Sequence, residues 1–296
     1  MRPALGLCFA FLLAAGVEAQ TGVVLELEDV VDNRVSSADP GGFQVQGGLE
    51  LRVKVNGSGM DKVTAARVIV REAKDDKGTS LVSKPNVPDF YPREYNNGTL
   101  QVAVGQPARN ATSVRMKGTI ELYVPSRDPG ASVKIANALA TLDKPLSAKA
   151  LKAAKLEITP LSREGYAAAA KARKITEKDI EQLRAEGKKQ GAPEKEIELA
   201  VALAQAFEGM DDDVSDTAVI LSGETSDFDR IYRIEVLGED GEPIHMTSRG
   251  TSSRGESSLM TLNPAQPLPA NATLQLMLLT DKTRVSVPFD LKVPLP

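Results

Sequence analysis

The sequence predicts a mainly β fold, with two antiparallel β-sandwich domains and an α-helical hairpin inserted between them. Three observations support this prediction. Short alternating strands fill the chain before about residue 160, the same pattern returns after about residue 213, and helical periodicity lies between them. We divide the 296 residues into a leader, 1–19, an N-terminal sandwich, 20–160, the hairpin, 161–212, and a C-terminal sandwich, 213–296.

The first nineteen residues have the layout of a secretory signal peptide. Arg2 gives a positive start, Ala4 to Gly16 are nearly all apolar, and small residues up to Ala19 favour cleavage before Gln20. This apolar run is shorter than the ~20 residues that a membrane-spanning helix needs. We therefore expect an exported protein, periplasmic or secreted, with no transmembrane segment.

Cysteine and charge exclude several classes of function. Cys8 is the one cysteine of the chain, and cleavage of the leader would remove it. Disulfides, thiolate catalysis and thiolate metal sites are therefore not expected. A cysteine-free exported chain of this size indicates a bacterial source. The formal net charge is −4 and the β regions carry no basic stripe, which gives no case for a nucleic-acid partner.

The strand pattern is clearest near each end of the chain. Leu49, Leu51, Val53 and Val55 alternate with charged residues, and 285–293 alternate with the odd-numbered residues facing inward. Pro288 in that last run predicts an edge strand. This pattern of short strands and turns resembles immunoglobulin-like or fibronectin-like sandwiches in general. Such folds host many functions, so the resemblance assigns no site residues.

The hairpin has helix-start signals and an uneven charge. Ser162 and the capping-box-like Thr176 begin one arm, and Pro193 suits the first position of the other. Residues 162–190 hold eight Lys/Arg and five Asp/Glu, whereas 191–216 hold one Lys and eight Asp/Glu. Two interpretations stay open: the arms pair with each other as a solvated hairpin, or the hairpin is an arm that docks a partner. The apolar face of the second arm is predicted to contain Ile197, Val201, Ala204 and Phe207.

Aromatic residues concentrate in the segment Pro85 to Asn97. We predict Phe90, Tyr91 and Tyr95 as binding residues, because rigid aromatic loops offer a large contact area at low entropic cost. The alternative is a loop that folds back and plugs the end of the sandwich.

Acidic residues form two clusters. Asp211, Asp212, Asp213 and Asp216 are weak candidates for a calcium site, and 227–229 adds a second pair of aspartates. Neither cluster has the spacing of a calcium-binding loop. We therefore predict no metal and no cofactor, and we interpret the first cluster as a polar linker.

His245 is the single histidine, so a Ser-His-Asp triad would have to use it with a serine such as Ser248 or Ser253. The chain has no Gly-x-Ser-x-Gly motif, and a surface histidine is the favoured interpretation. We expect a non-catalytic binding or structural module with an unknown protein partner. The alternatives are an extracellular hydrolase acting on a polymer and a calcium-stabilised adhesive module.

Overall fold

The computed structural model describes residues 22–33, 48–84, 86–93, 98–173, 176–208, 214–269 and 271–295, so the predicted leader lies outside the described residues. The structure is mainly β and contains several antiparallel sheets, as expected for β-sandwiches. Contacts within the chain divide it into two compact units. Unit 1 comprises Met1–Val124 with Val285–Pro296, and unit 2 comprises Pro125–Arg284.

Unit 1 is built from two sheets. Its strands are β1 (Val24–Asn33), β2 (Gly48–Asn56), β3 (Ala65–Asp75), β4 (Tyr91–Pro92), β5 (Thr99–Val104), β6 (Ser113–Tyr123) and β14 (Arg284–Pro294). The strand orders in the two sheets are β1-β2-β5 and β14-β6-β3-β4. A 3₁₀ turn, Met60–Lys62, precedes β3.

The core of unit 1 follows from the alternation of its strands. In β2, Leu49, Leu51, Val53 and Val55 are fully buried, and the residues between them face the other side. Apolar residues of β3, β5 and β6 complete the same core. Both sheets therefore contribute to one apolar layer, which is the arrangement of a sandwich.

The last strand, β14, is an edge strand, as Pro288 predicted. Its odd-numbered residues are the less exposed ones. Arg115 of the neighbouring β6 donates two hydrogen bonds to the Asp290 carboxylate, at 2.8 and 2.7 Å. The strand thus belongs to unit 1, whereas its place in the chain put it in the predicted C-terminal domain. Alternation specifies which face of a strand is buried, but it does not specify the sheet that the strand joins.

Unit 2 contains two further sheets. Its strands are β7 (Ser132–Ile135), β8 (Ile158–Leu161), β9 (Val219–Glu224), β10 (Ile231–Leu237), β11 (Met246–Arg254), β12 (Ser257–Pro264) and β13 (Thr273–Leu278). The strand orders in the two sheets are β10-β13-β7 and β11-β12-β9-β8. Here β7 and β8 differ from the predicted layout, which placed 132–160 in the N-terminal sandwich.

The core of unit 2 also lies between its sheets. Ile158, Leu221 and Leu262 come from one sheet, and Val133 and Leu276 come from the other. All five are at most 6% exposed. Burial of this kind contributes about 1.5–3 kcal/mol for each large aliphatic side chain.

The helices of unit 2 are α1 (Lys149–Ala154), α2 (Arg163–Ala172), α3 (Glu177–Lys189), α4 (Glu194–Glu208) and the single turn α5 (Thr225–Phe228). The Ser162 hydroxyl accepts the Gly165 N–H at 2.9 Å at the start of α2, and Thr176 forms a full capping box at the start of α3. Both predicted helix starts are therefore confirmed. Across the described part of the chain, no helix combines the length and apolar content needed to cross a membrane.

Candidate functional site

The aromatic segment packs partly against its own unit. The Phe90 ring lies 6.2 Å from the ring of the fully buried Tyr123. The Arg67 guanidinium lies 4.2 Å from the Phe90 ring centre and also forms a 2.6 Å ion pair with Glu121. Arg67 donates a further hydrogen bond to the Pro88 carbonyl at 3.2 Å. These contacts hold the Phe90 ring over β3 and β6.

The other two predicted aromatic residues differ from Phe90. Tyr91 pairs with Ala66 at the edge of the sheet, and its side chain is 41% exposed. Val87 in the same segment is 56% exposed. Tyr95 lies outside the described residues. A binding role for this segment therefore depends on Tyr91 and stays a prediction.

The two arms of the hairpin, α3 and α4, pack closely at one point. An added Cβ at Gly187 would lie 2.7 Å from Ile197 Cγ1, so only glycine lets Ile197 approach α3 this closely. Beside this contact, Arg184 Nε and Nη2 donate to the two carboxylate oxygens of Glu198, at 2.8 and 2.9 Å. The arms therefore do pair by charge, and hydrogen bonds from Arg184 hold the pKa of Glu198 below its usual value.

The start of α3 is tied to strand β11. Arg254 Nη2 lies 2.7 Å from the Asp179 carboxylate, and Arg173 Nη2 donates to the Ser252 carbonyl at 2.7 Å. Hydrogen bonds from the Thr176 side chain and then its backbone N–H lower the pKa of Asp179, and the nearby Arg254 charge adds to them. The hairpin is thus anchored to a sheet at its base.

Two exposed leucines of α4 are the most unusual feature of the hairpin. Leu199 and Leu203 are one helical turn apart and are 59% and 48% exposed. The buried residues of the same helix, Ile197 and Val201, lie on its other side. We call Leu199 and Leu203 the α4 leucine face. This face is apolar surface that the described part of the chain leaves open to solvent.

The sequence contained a signal for this face that the prediction missed. The predicted stripe began at Ile197 and Val201, and both are buried as expected. The Phe207 side chain lies outside the described residues. A second pair of apolar residues, Leu199 and Leu203, has the same four-residue spacing and lies on the opposite side of the helix. Two apolar stripes on one helix indicate two contact surfaces, and only one is covered in the described structure.

The calcium candidates are only partly described. Asp211, Asp212 and Asp213 lie outside the described residues, and Asp216 is exposed. Asp216 lines a cleft of about 470 Å³ beside α2, where Arg163 donates to the carbonyls of Val214 and Ser215. Among the residues with described positions, no three His, Cys, Asp or Glu side chains converge on a metal position.

His245 is exposed, and the serines considered for a triad have other partners. The Ser248 hydroxyl accepts a hydrogen bond from Asn263 Nδ2 at 2.8 Å. The Ser253 hydroxyl lies 2.6 Å from the Ser258 hydroxyl. In the described residues, His245 therefore has no serine partner of the kind that nucleophilic catalysis requires.

Comparison with protein-family models, with curated proteins and with solved structures finds no match to this chain.

Proposed function

We propose that this protein is an exported, non-catalytic binding module that contacts a partner protein through the α4 leucine face. One observation supports the proposal most strongly. Leu199 and Leu203 form an exposed apolar pair on a helix whose opposite side is already buried. Contiguous exposed apolar surface marks protein interaction sites, and these two leucines are neighbours on one face of the helix.

The surroundings of the leucine face suit a binding surface. Ala200 and Ala202 are exposed beside the leucines, and their small side chains would let a partner approach the helix closely. Arg184, Gly187 and Asp179 fix the hairpin, so little conformational entropy would be lost on binding. Full burial of an exposed leucine contributes about 1.5–3 kcal/mol, and because each of these leucines is already about half buried, a partner would add about half of that for each.

The leader supports the extracytoplasmic part of the proposal, because 1–19 have the charge and apolar pattern of a signal peptide. Tyr91 is proposed as an additional contact, since it is the described aromatic side chain of its segment that faces solvent. Phe90 would hold that segment in place by packing against Tyr123 and Arg67.

Site-specific crosslinking tests the proposal. A photoreactive amino acid replaces Leu199 in the full chain, which is expressed in the organism that naturally produces it. The same replacement at Leu142 is the control. Leu142 is a solvent-exposed leucine of the same unit, with 39% of its surface exposed against 59% for Leu199. We expect Leu199 to give one discrete adduct with another protein, found outside the cytoplasm, and Leu142 to give none.

A second substitution separates binding from chance proximity. Adding Leu203→Gln to the Leu199 probe should remove the adduct, because a buried amide without a partner is costly. Identical adducts at both probe positions, no adduct at Leu199, or an adduct that survives Leu203→Gln would each refute the proposal. An adduct confined to the cytoplasm would refute its extracytoplasmic part.

A further inference from the structure

A cleft of about 650 Å³ lies between two loops of unit 2. The first loop, 238–245, joins β10 to β11, and the second, 265–272, joins β12 to β13. The apolar wall is formed by proline and aliphatic side chains, which are Pro243, Ile244, Pro267, Leu268 and Pro269. Ile244 and Leu268 also pack against the core of unit 2, so this wall is continuous with the folded interior.

Backbone hydrogen bonds hold the first loop in one shape. The Gly238 N–H donates to the Glu242 carbonyl at 2.9 Å, and the Ile244 N–H donates to the Val236 carbonyl at 2.8 Å. The Ala265 N–H donates to the His245 carbonyl at 2.9 Å, which links the two loops. The cleft is therefore formed before any ligand arrives, and binding would order little of the chain.

The rim of the cleft is acidic. Glu239, Asp240 and Glu242 line it, and no lysine or arginine is among its described lining residues. One oxygen of Asp240 accepts the Glu242 N–H at 3.0 Å and fixes the turn. The carboxylates of Glu239 and Glu242 are exposed, and in the described contacts neither accepts a hydrogen bond that fixes the turn. The cleft thus combines an apolar wall with three carboxylates, and His245 is a further lining residue.

We propose that this cleft binds an extended segment of a partner protein that presents an arginine beside aliphatic residues. The aliphatic stem of arginine would lie on the proline and leucine wall, and its guanidinium would reach the carboxylates of the rim. Charge complementarity is the reason for choosing this occupant, because an acidic rim repels anionic segments and a neutral segment leaves it unpaired. The site is separate from the α4 leucine face, and neither requires the other.

The test uses a blocked peptide, acetyl-Leu-Arg-Leu-Arg-amide, titrated into the ¹⁵N-labelled full chain and followed by NMR. We expect saturable shifts of the backbone N–H signals of Gly241, Ile244 and Leu268, with those of α4 unchanged. The same peptide with citrulline for arginine is the neutral control, since citrulline keeps the shape and loses the charge. It should bind at least fivefold more weakly.

Charge variants locate the effect. Glu239→Gln with Glu242→Gln should weaken binding of the arginine peptide about five- to tenfold, because each exposed ion pair contributes a small factor. Glu164→Gln with Glu181→Gln, two exposed glutamates elsewhere, changes the net charge equally and should weaken binding less than twofold.

Three results would overturn the inference: equal binding of the citrulline peptide, equal weakening by both pairs of substitutions, or shifts that map outside the two loops. These results are independent of the crosslinking outcome at Leu199. Failure of the cleft would leave the proposed function intact, and failure of the leucine face would leave the cleft intact.

Discussion

The sheets of unit 2 and its hairpin place the same residue type in opposite environments. Leu221 and Leu262 are fully buried between the sheets, whereas Leu199 and Leu203 of α4 are about half exposed. Both pairs lie within one compact unit. The difference indicates that the sheets carry the stability of the unit, whereas the hairpin presents surface. The same type of substitution should therefore lower the free energy of unfolding when it is made in the sheets and leave it nearly unchanged when it is made in the hairpin.

Replacing a core leucine should give the largest effect. Leu221→Ala should lower the free energy of unfolding by about 2–5 kcal/mol, because it removes buried methyl groups and leaves a cavity. Leu199→Ala, a change of the same type in the hairpin, should alter it by less than about 0.5 kcal/mol. Urea unfolding of the full chain, followed by circular dichroism, measures both. A large loss for Leu199→Ala would mean that the leucine face is covered in solution.

Removing the helix cap should give an intermediate effect that stays within the hairpin. Thr176→Ala should cost about 1 kcal/mol of local stability, since it removes the side chain that accepts the Asp179 N–H. Hydrogen exchange should show faster opening of α3 and no change in β9. Equal acceleration in β9 would show that the hairpin and the sheets unfold together, contrary to the comparison.

The same cap makes the start of α3 sensitive to acid. The folded pKa of Asp179 lies below its usual value, chiefly because of hydrogen bonds from Thr176. Its stabilisation is therefore complete above the ordinary aspartate pKa of about 3.9 and disappears as the pH falls through the lower folded value. Carbon-detected NMR titration should show the Asp179 pKa rising toward the ordinary value in Thr176→Ala. An unchanged pKa would mean that the side chain of Thr176 is not the main cause, and that its backbone N–H, which the variant keeps, or Arg254 dominates instead.

Breaking the ion pair between the arms should give the smallest effect. Arg184 and Glu198 have side chains that are 43% and 51% exposed, so solvent screens their attraction. Arg184→Ala should reduce hydrogen-exchange protection of α4 by less than about threefold, and added salt should shrink the difference further. A tenfold loss would show that this pair, rather than the Gly187 contact, holds the arms together.

Local signals in the sequence predicted local structure well. The starts of α2 and α3 were predictable because Ser162 and Thr176 act on residues three positions away. The inward face of β14 was predictable because alternation is a property of one strand. The sheet that β14 joins was not predictable in this way, since its neighbour β6 is distant in the chain.

The candidate sites show the same limit. The α4 leucine face could have been found from the spacing of Leu199 and Leu203, but its exposure depends on what the rest of the chain covers. The acidic cleft joins loops whose nearest ends, His245 and Ala265, are twenty positions apart, and only the fold brings Glu239 near Leu268. Phe90 was singled out by composition, yet its ring lies against Arg67 and Tyr123, far from it in sequence.

The position of β14 has a consequence for the order of folding during synthesis. A chain that emerges from its N-terminus usually completes its first domain first. Here unit 2 ends at Arg284, where β14 begins, so unit 2 can fold while unit 1 still lacks an edge strand. Until then β6 has an open edge, and such edges recruit strands from other chains. Pairing of the eleven-residue strand β14 with β6 therefore completes the folding of unit 1.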